Sequence, residues 1–236
     1  MKDSPTHDPL VEELLAHLRV TRQAERDMFG RLDPAIRDRP MREGDWSPKD
    51  HQAHLTAWKG RQADRVEAAR LGREPVTDDR EDDEINAELQ ATRADWDWKS
   101  ISAEADEVSE RLEAELRAID PALLHASDRL VGGTFGNGPF HVLTHFGWLA
   151  EAKVGADEGR IATFVDEIEG LVSNGSLSDK DRGTGLYNMA CAHVLAGRLD
   201  RARALLREAF GLRPELRDWA KEDPDLASLR TELAQL

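Results

Sequence analysis

The chain has 236 residues, enough for one large or two modest domains that each bury a core. Its 47 acidic against 32 basic residues give a formal net charge of −15, which repels nucleic-acid phosphates and anionic lipid, so neither is an expected partner. With charged residues at 33%, no apolar run approaches the about 20 residues of a bilayer span, and the opening Met1-Lys2-Asp3-Ser4-Pro5 lacks the apolar segment of a signal peptide. The single Cys191 excludes an internal disulfide framework, and a cytoplasmic protein is expected.

Asp8-Pro9 is a good cap and first-turn pair for a helix carrying Leu10, Leu14, Leu15, Leu18, Met28, Phe29 and Leu32 on one buried stripe. His17 and Arg22 are expected at its surface or boundary. After a loop with Pro34, Pro40 and Gly44 comes Trp46-Ser47-Pro48-Lys49-Asp50, where Ser47 can cap, Pro48 suits the first turn and Asp50 can complete a capping box. The second helix that begins here carries His51, His54, Leu55, Trp58, Val66 and Ala69.

Residues 72–99 break the pattern with Pro75 and an acidic run from Asp78 to Glu84, read most simply as a solvated loop within a long crossover, with a weak cation site as the alternative. A third helix is expected from near Ser102, with Ala105, Val108, Leu112, Leu116 and Ile119 on a stripe closed by Asp120-Pro121. The glycine-rich stretch from Leu130 to Gly138 has no phosphate-loop ending and reads as a flexible lead-in to a fourth helix, Pro139 to Val154. Four amphipathic helices without a strand pattern predict an all-α four-helix bundle over residues 1–155.

Residues 156–236 have a different texture. A helical stretch from Asp157 to Val172 and a turn at Ser173-Asn174-Gly175 precede a helix opening at Leu186, a break at Gly197 and a second helix ending at Pro214. Ala190, Ala202, Ala209 and Pro214 make residues 183–214 resemble one tetratricopeptide (TPR) repeat, with Trp219 and the segment from Asp225 to Leu236 as a terminal capping helix. One repeat is too little for a concave groove, so this region is expected to pack on the bundle or a second copy, or to bind a protein partner. Arg198, Arg201, Arg203 and Arg207, with Glu208 beside them, read as a solvated helix face.

His141 and His145 are four residues apart in an apolar helical pattern, which places two imidazoles on one face about 6 Å apart. A metal such as zinc needs at least one more protein donor. In a bundle, ligands converge from facing helices, and His54 on the second helix is the best third candidate. His51, one turn earlier, is its rival, as an outer partner, a substitute ligand or a surface residue. Trp148 reads as core packing, and Cys191 as a small buried hydrophobe.

The cluster Trp46-Ser47-Pro48-Lys49-Asp50, then Ala53-His54-Leu55 and Trp58, with the late His141-x-x-x-His145, resembles the DinB/YfiT-like family of metalloenzymes over residues 8–155. The resemblance implies a four-helix bundle holding a divalent metal on His54, His141 and His145. Imidazoles suit zinc, nickel, iron or copper, with zinc or nickel expected. Some family members are transferases or isomerases that use low-molecular-weight thiols, and other branches have lost the metal ligands. Bundles of this kind often form homodimers. Three functions follow as expectations: a metal-dependent thiol S-transferase or related small-molecule enzyme, a non-catalytic scaffold acting through the TPR-like region, or a metal-free DinB-like hydrolase. The last predicts His54 remote from His141 and His145.

Overall fold

The computed structural model describes residues 8–41, 46–75, 78, 80–152, 157–175 and 177–236. The chain divides into two compact units, Met1–Asp157 and Glu158–Leu236. Both are built from helices, and no strand occurs among the described residues. None of the described helices is long and apolar enough to cross a membrane.

The first unit runs α1 (Pro9–Phe29), α2 (Pro34–Arg37), α3 (Pro48–Arg70), α4 (Asp82–Ala91), α5 (Trp98–Ala118), α6 (Pro121–His125), α7 (Asp128–Phe135), a π turn (Gly136–Phe140) and α8 (His141–Glu151). Side chains written just ahead of each start explain the boundaries. Asp8 accepts from the backbone N–H groups of Leu10 and Val11, Asp97 from Ser100 and Asp120 from Ala122. At the end of α3, Gly72 (φ 65°) accepts a left-handed conformation; its N–H bonds the Ala69 carbonyl and that of Arg73 bonds Ala68, a Schellman closure.

α3 packs along α5, and α1 joins both. The core interleaves Leu14, Leu15 and Phe29 of α1, Leu55 and Val66 of α3, Ile101, Leu112 and Leu116 of α5, and Val142, Phe146 and Leu149 of α8, all at or near zero exposure. Each such burial is worth roughly 1.5–3 kcal/mol.

Four local expectations change. His17 and Arg22 are not at the surface: they are 1% and 6% exposed, because α1 is covered on more than its apolar stripe and Arg22 finds Asp106 and Glu25. The acidic run is not simply a solvated loop. Asp82, Asp83 and Glu84 form the first turn of α4, where their charges favour the helix N-terminus, and Ile85 anchors it in the core. The third long helix starts at Trp98, where Asp97 caps it, ahead of Ser102. The glycine-rich stretch is no flexible lead-in either. Ser127 caps α7, and the buried Gln62 amide donates to the Leu130 carbonyl and the Thr134 hydroxyl. The fourth helix consequently begins at His141, and its expected end at Val154 lies outside the described residues.

The second unit contains α9 (Glu158–Asn174), α10 (Asp179–Leu195), α11 (Leu199–Leu212), α12 (Leu216–Glu222) and 3₁₀ turns at Pro224–Leu229 and Leu233–Gln235. α10 packs on α9 and α11 around Phe164, Ile168, Leu186, Met189, Leu205, Leu206 and Phe210. α10 starts well before Leu186, since Ser178 accepts from the Asp181 N–H. Gly197 (φ 72°) makes the turn into α11 by the same Schellman pattern, with N–H bonds to Val194 and, from Arg198, to His193. The final segment is not an α-helix from Asp225. Pro224 and the Asp223 side chain, which caps the Asp225 N–H, set short 3₁₀ turns instead. The arginine face of α11 is more than solvated: Arg198 pairs with Asp166, Arg201 with Glu169 and Arg203 with Glu232.

Candidate metal centre

Four imidazoles meet where the start of α3 faces α8. The α3 end is fixed by a complete capping box, in which the Ser47 N–H donates to the Asp50 carboxylate (2.8 Å) and the Asp50 N–H to the Ser47 hydroxyl (3.2 Å). His51 and His54 therefore project from the first two turns of a helix that cannot fray freely. Trp58 continues the same face, and its indole N–H donates to Asn86 of α4 (3.0 Å).

On the other side, Pro139 lacks an N–H, and Gly138 takes a non-helical conformation (φ −98°, ψ −113°), so the helical ladder is interrupted and restarted at His141. In α8 the apolar stripe is Val142, Phe146 and Leu149. His141, His145 and Trp148 form the adjoining stripe, one residue out of phase. Exposure along it varies: His141 is partly exposed, His145 1% exposed and Trp148 44%. The expectation that Trp148 is core packing is therefore wrong; it sits beside the buried stripe, not on it.

His54 Nε2 lies 3.0 Å from His141 Nε2, and one nitrogen from each of His54, His141 and His145 lies within 4.8 Å of the others. The remote His54 that a metal-free hydrolase predicts is not found. His51 lies outside that convergent trio but touches it, with its Nδ1 2.5 Å from His145 Nδ1. Indoles wall the group. Trp46 contacts the rings of His51, His54 and His145, Trp58 those of His54 and His141, and Trp148 those of His51 and His145.

Burial, reinforced by neighbouring charge, disfavours the imidazolium forms. It pushes His54 down to about 3, with His141 and His51 adding to the effect, and His141 down to about 4, with Lys59 and His51 adding. His145 is driven well below its usual range by burial and the three other imidazoles. At neutral pH the trio is uncharged, the state in which each ring offers a lone pair.

Beneath the imidazoles is a buried charge network that the sequence reading did not anticipate. Lys59 of α3 (2% exposed) pairs with Glu25 of α1 (0% exposed), and Glu25 also accepts from Arg22 (3.2 Å), which reaches Asp106 of α5 (2.6 Å). Burial pulls the Lys59 ammonium down while Glu25 opposes it. The signal was present as spacing: Gln52, Leu55, Lys59, Gln62 and Val66 occupy one buried stripe of α3, so Lys59 had to be paired internally.

A divalent cation fits the trio. Two nitrogens already stand at a separation that about 2.0–2.1 Å metal–nitrogen bonds span, the donors are neutral, and three protein ligands leave further positions open. A second group, Cys191, Asp223 and Asp225 in the other unit, is a poorer host. Its thiol donates to Asp223 (3.8 Å), and burial pushes that thiol well up from its usual range, so it stays protonated. A surface cavity of about 350 Å³ lined by Arg61, Asp64, Arg65, Glu67 and Arg73 lies along the later turns of α3, away from the histidines.

No curated protein and no solved structure matches the chain. A family model, that of the DinB superfamily, matches residues 9–151, which spans every element that supplies the histidines. More than half of the chain is covered by that match, and all three converging imidazoles fall inside it: the chain belongs to the DinB superfamily.

Proposed function

We propose that residues 1–155 form a DinB-like four-helix bundle, in which His54, His141 and His145 hold one divalent metal ion, zinc or nickel, and act on a small molecule. The observation that carries this reading is the meeting of three neutral imidazoles from two helices, with His54 Nε2 and His141 Nε2 3.0 Å apart and no carboxylate in the trio. A neutral donor set leaves the full charge of the ion in place. Such an ion acidifies a bound water or thiol and polarises an acceptor.

This chain's residues supply the rest. His54 and His141 face each other across the site, and the indoles of Trp46 and Trp58 pack against their rings. Trp148 presents an exposed apolar ring at the edge of the histidines, suited to a ligand's non-polar portion. A low-molecular-weight thiol is the substrate class we favour, with metal-dependent S-transfer as the reaction. Protein purified without a histidine tag should carry about one metal per chain, lost in His54→Ala and His145→Ala. A metal-free wild type that takes up neither zinc nor nickel refutes the reading.

Residues 156–236 we read as a TPR-like hairpin, α10 and α11, with a short cap. Leu195 and Trp219, 48% and 61% exposed, favour a protein partner for this unit. A chain ending at Gly155 that stays folded and binds metal is expected if the second unit is an independent module; its insolubility counts against that.

A further inference from the structure

Of the trio, His54 buries its Nδ1 without a hydrogen-bond partner, whereas the Nδ1 of His145 lies 2.5 Å from the Nδ1 of His51. Two ring nitrogens at that distance share one proton. Only two neutral arrangements exist. In one, His145 carries its proton on Nδ1 and donates to His51, so Nε2 of His145 keeps its lone pair. In the other, His51 donates and His145 is protonated on Nε2, where no metal can bind.

We propose that His51 is a positioning residue for His145: its Nδ1 accepts the Nδ1–H of His145 and so holds the tautomer whose Nε2 is free to ligate. The inference rests on the metal reading above. The site is built for a fixed ring rather than a rotating one. His51 sits on the turn pinned by the capping box, its backbone N–H bonded to the Ser47 carbonyl (3.0 Å). Trp46 stacks on His145 (20° between planes), and Trp148 also packs against the His145 ring (4.7 Å between centroids). Outer partners of metal-bound histidines orient the ring and set its basicity. Carboxylates, common in that role, add a negative charge, whereas a neutral imidazole orients without adding one. An ion held there would keep its full acidity toward a bound water or thiol.

Two measurements test this. Long-range ¹⁵N–¹H correlations of the histidine rings in metal-free wild-type protein are expected to show His145 protonated on Nδ1 and unprotonated on Nε2; the opposite tautomer overturns the proposal. Zinc affinity by chelator competition is expected to fall about 10–100-fold in His51→Phe, which keeps a ring but removes the acceptor. His51→Asn, whose amide oxygen replaces the Nδ1 acceptor, should recover most of that loss. Unchanged affinity in His51→Phe, or equal loss in both variants, overturns the role. If His51→Phe does not fold, the wild-type tautomer and the Asn variant decide. If wild-type protein binds no zinc or nickel, the metal reading fails by itself, and the tautomer spectrum still decides whether His51 orients His145.

Discussion

The two units bury polar groups in opposite ways. In the first, His17, Thr21, Arg22, Glu25, His51, Gln52, His54, Thr56, Lys59, Gln62, Thr134 and His145 are all buried. In the second, apart from the Tyr187 phenol and the Cys191 thiol, His193 is the buried polar side chain among the described residues. The two kinds of buried histidine also differ. His193 Nε2 lies 2.6 Å from the Glu169 carboxylate, which is itself paired with Arg201. The trio in the first unit has imidazoles for neighbours. A histidine given a carboxylate has its charge provided for and is explained by structure alone. Three histidines whose polar neighbours are one another and a fourth imidazole have no carboxylate to carry a shared charge, and that is the arrangement the proposed ion would occupy. A polar interior costs stability, and the first unit carries that cost where the second does not.

The comparison breaks most visibly at Lys59. Lys59→Met takes one of two cations from the buried Glu25 and leaves it Arg22, so it should cost up to about 3 kcal/mol in denaturant unfolding of the first unit, whereas Glu25→Leu combined with Lys59→Met should recover most of it. Next in size, His145→Ala is expected to weaken zinc binding by more than about 100-fold, beyond the loss of an outer partner, while His193→Ala leaves it unchanged in competition with a chelator. Metal at about 100 times its dissociation constant should add about 2.7 kcal/mol to the first unit. The second unit's melting transition should not move, and a chelator should reverse the gain.

Smaller still, taken per pH unit and per histidine, is the pH effect on metal-free protein. His54 and His141 titrate near 3 and 4 when folded but near 6.5 when unfolded, so between these values only the unfolded chain binds the protons. Stability is complete above 6.5 and should fall as pH drops toward 4, by up to about 1.4 kcal/mol per pH unit for each histidine. His54→Gln should flatten urea-midpoint curves over that range, and an unchanged slope contradicts the assignment. Least of all, Arg203→Ala, which removes a partly exposed pair with Glu232, should change second-unit stability by about 0–1 kcal/mol.

Much of this was legible in sequence because it is local. The Ser47–Asp50 box and the spacing of His141 and His145 each lie within one or two helical turns, and they located the start of α3 and two donors. His54 was legible as a candidate because facing helices must share an interior. The Lys59–Glu25 pair was not, since it joins positions 34 residues apart and either residue alone looks like solvated charge. The glycines of α7 looked flexible because the Gln62 amide that ties them down comes from another helix; a Cβ on Gly133 would lie 2.5 Å from that side chain's Oε1. Trp148 was misread because a buried stripe and its neighbour differ by a single residue of phase, which periodicity does not separate.

The indoles around the imidazoles have an optical consequence. Of six tryptophans, Trp46, Trp58 and Trp148 contact the histidine rings, while Trp96 and Trp98 lie beneath Arg93 and Arg37, and Trp219 belongs to the second unit. Emission excited at the red edge of indole absorption thus comes in large part from the wall of the site. Ions with unfilled d shells quench nearby indoles and zinc does not. Were the proposed ion to bind, the protein's own fluorescence would report which ion had entered and, through the exposed Trp148, when a second molecule had settled beside it.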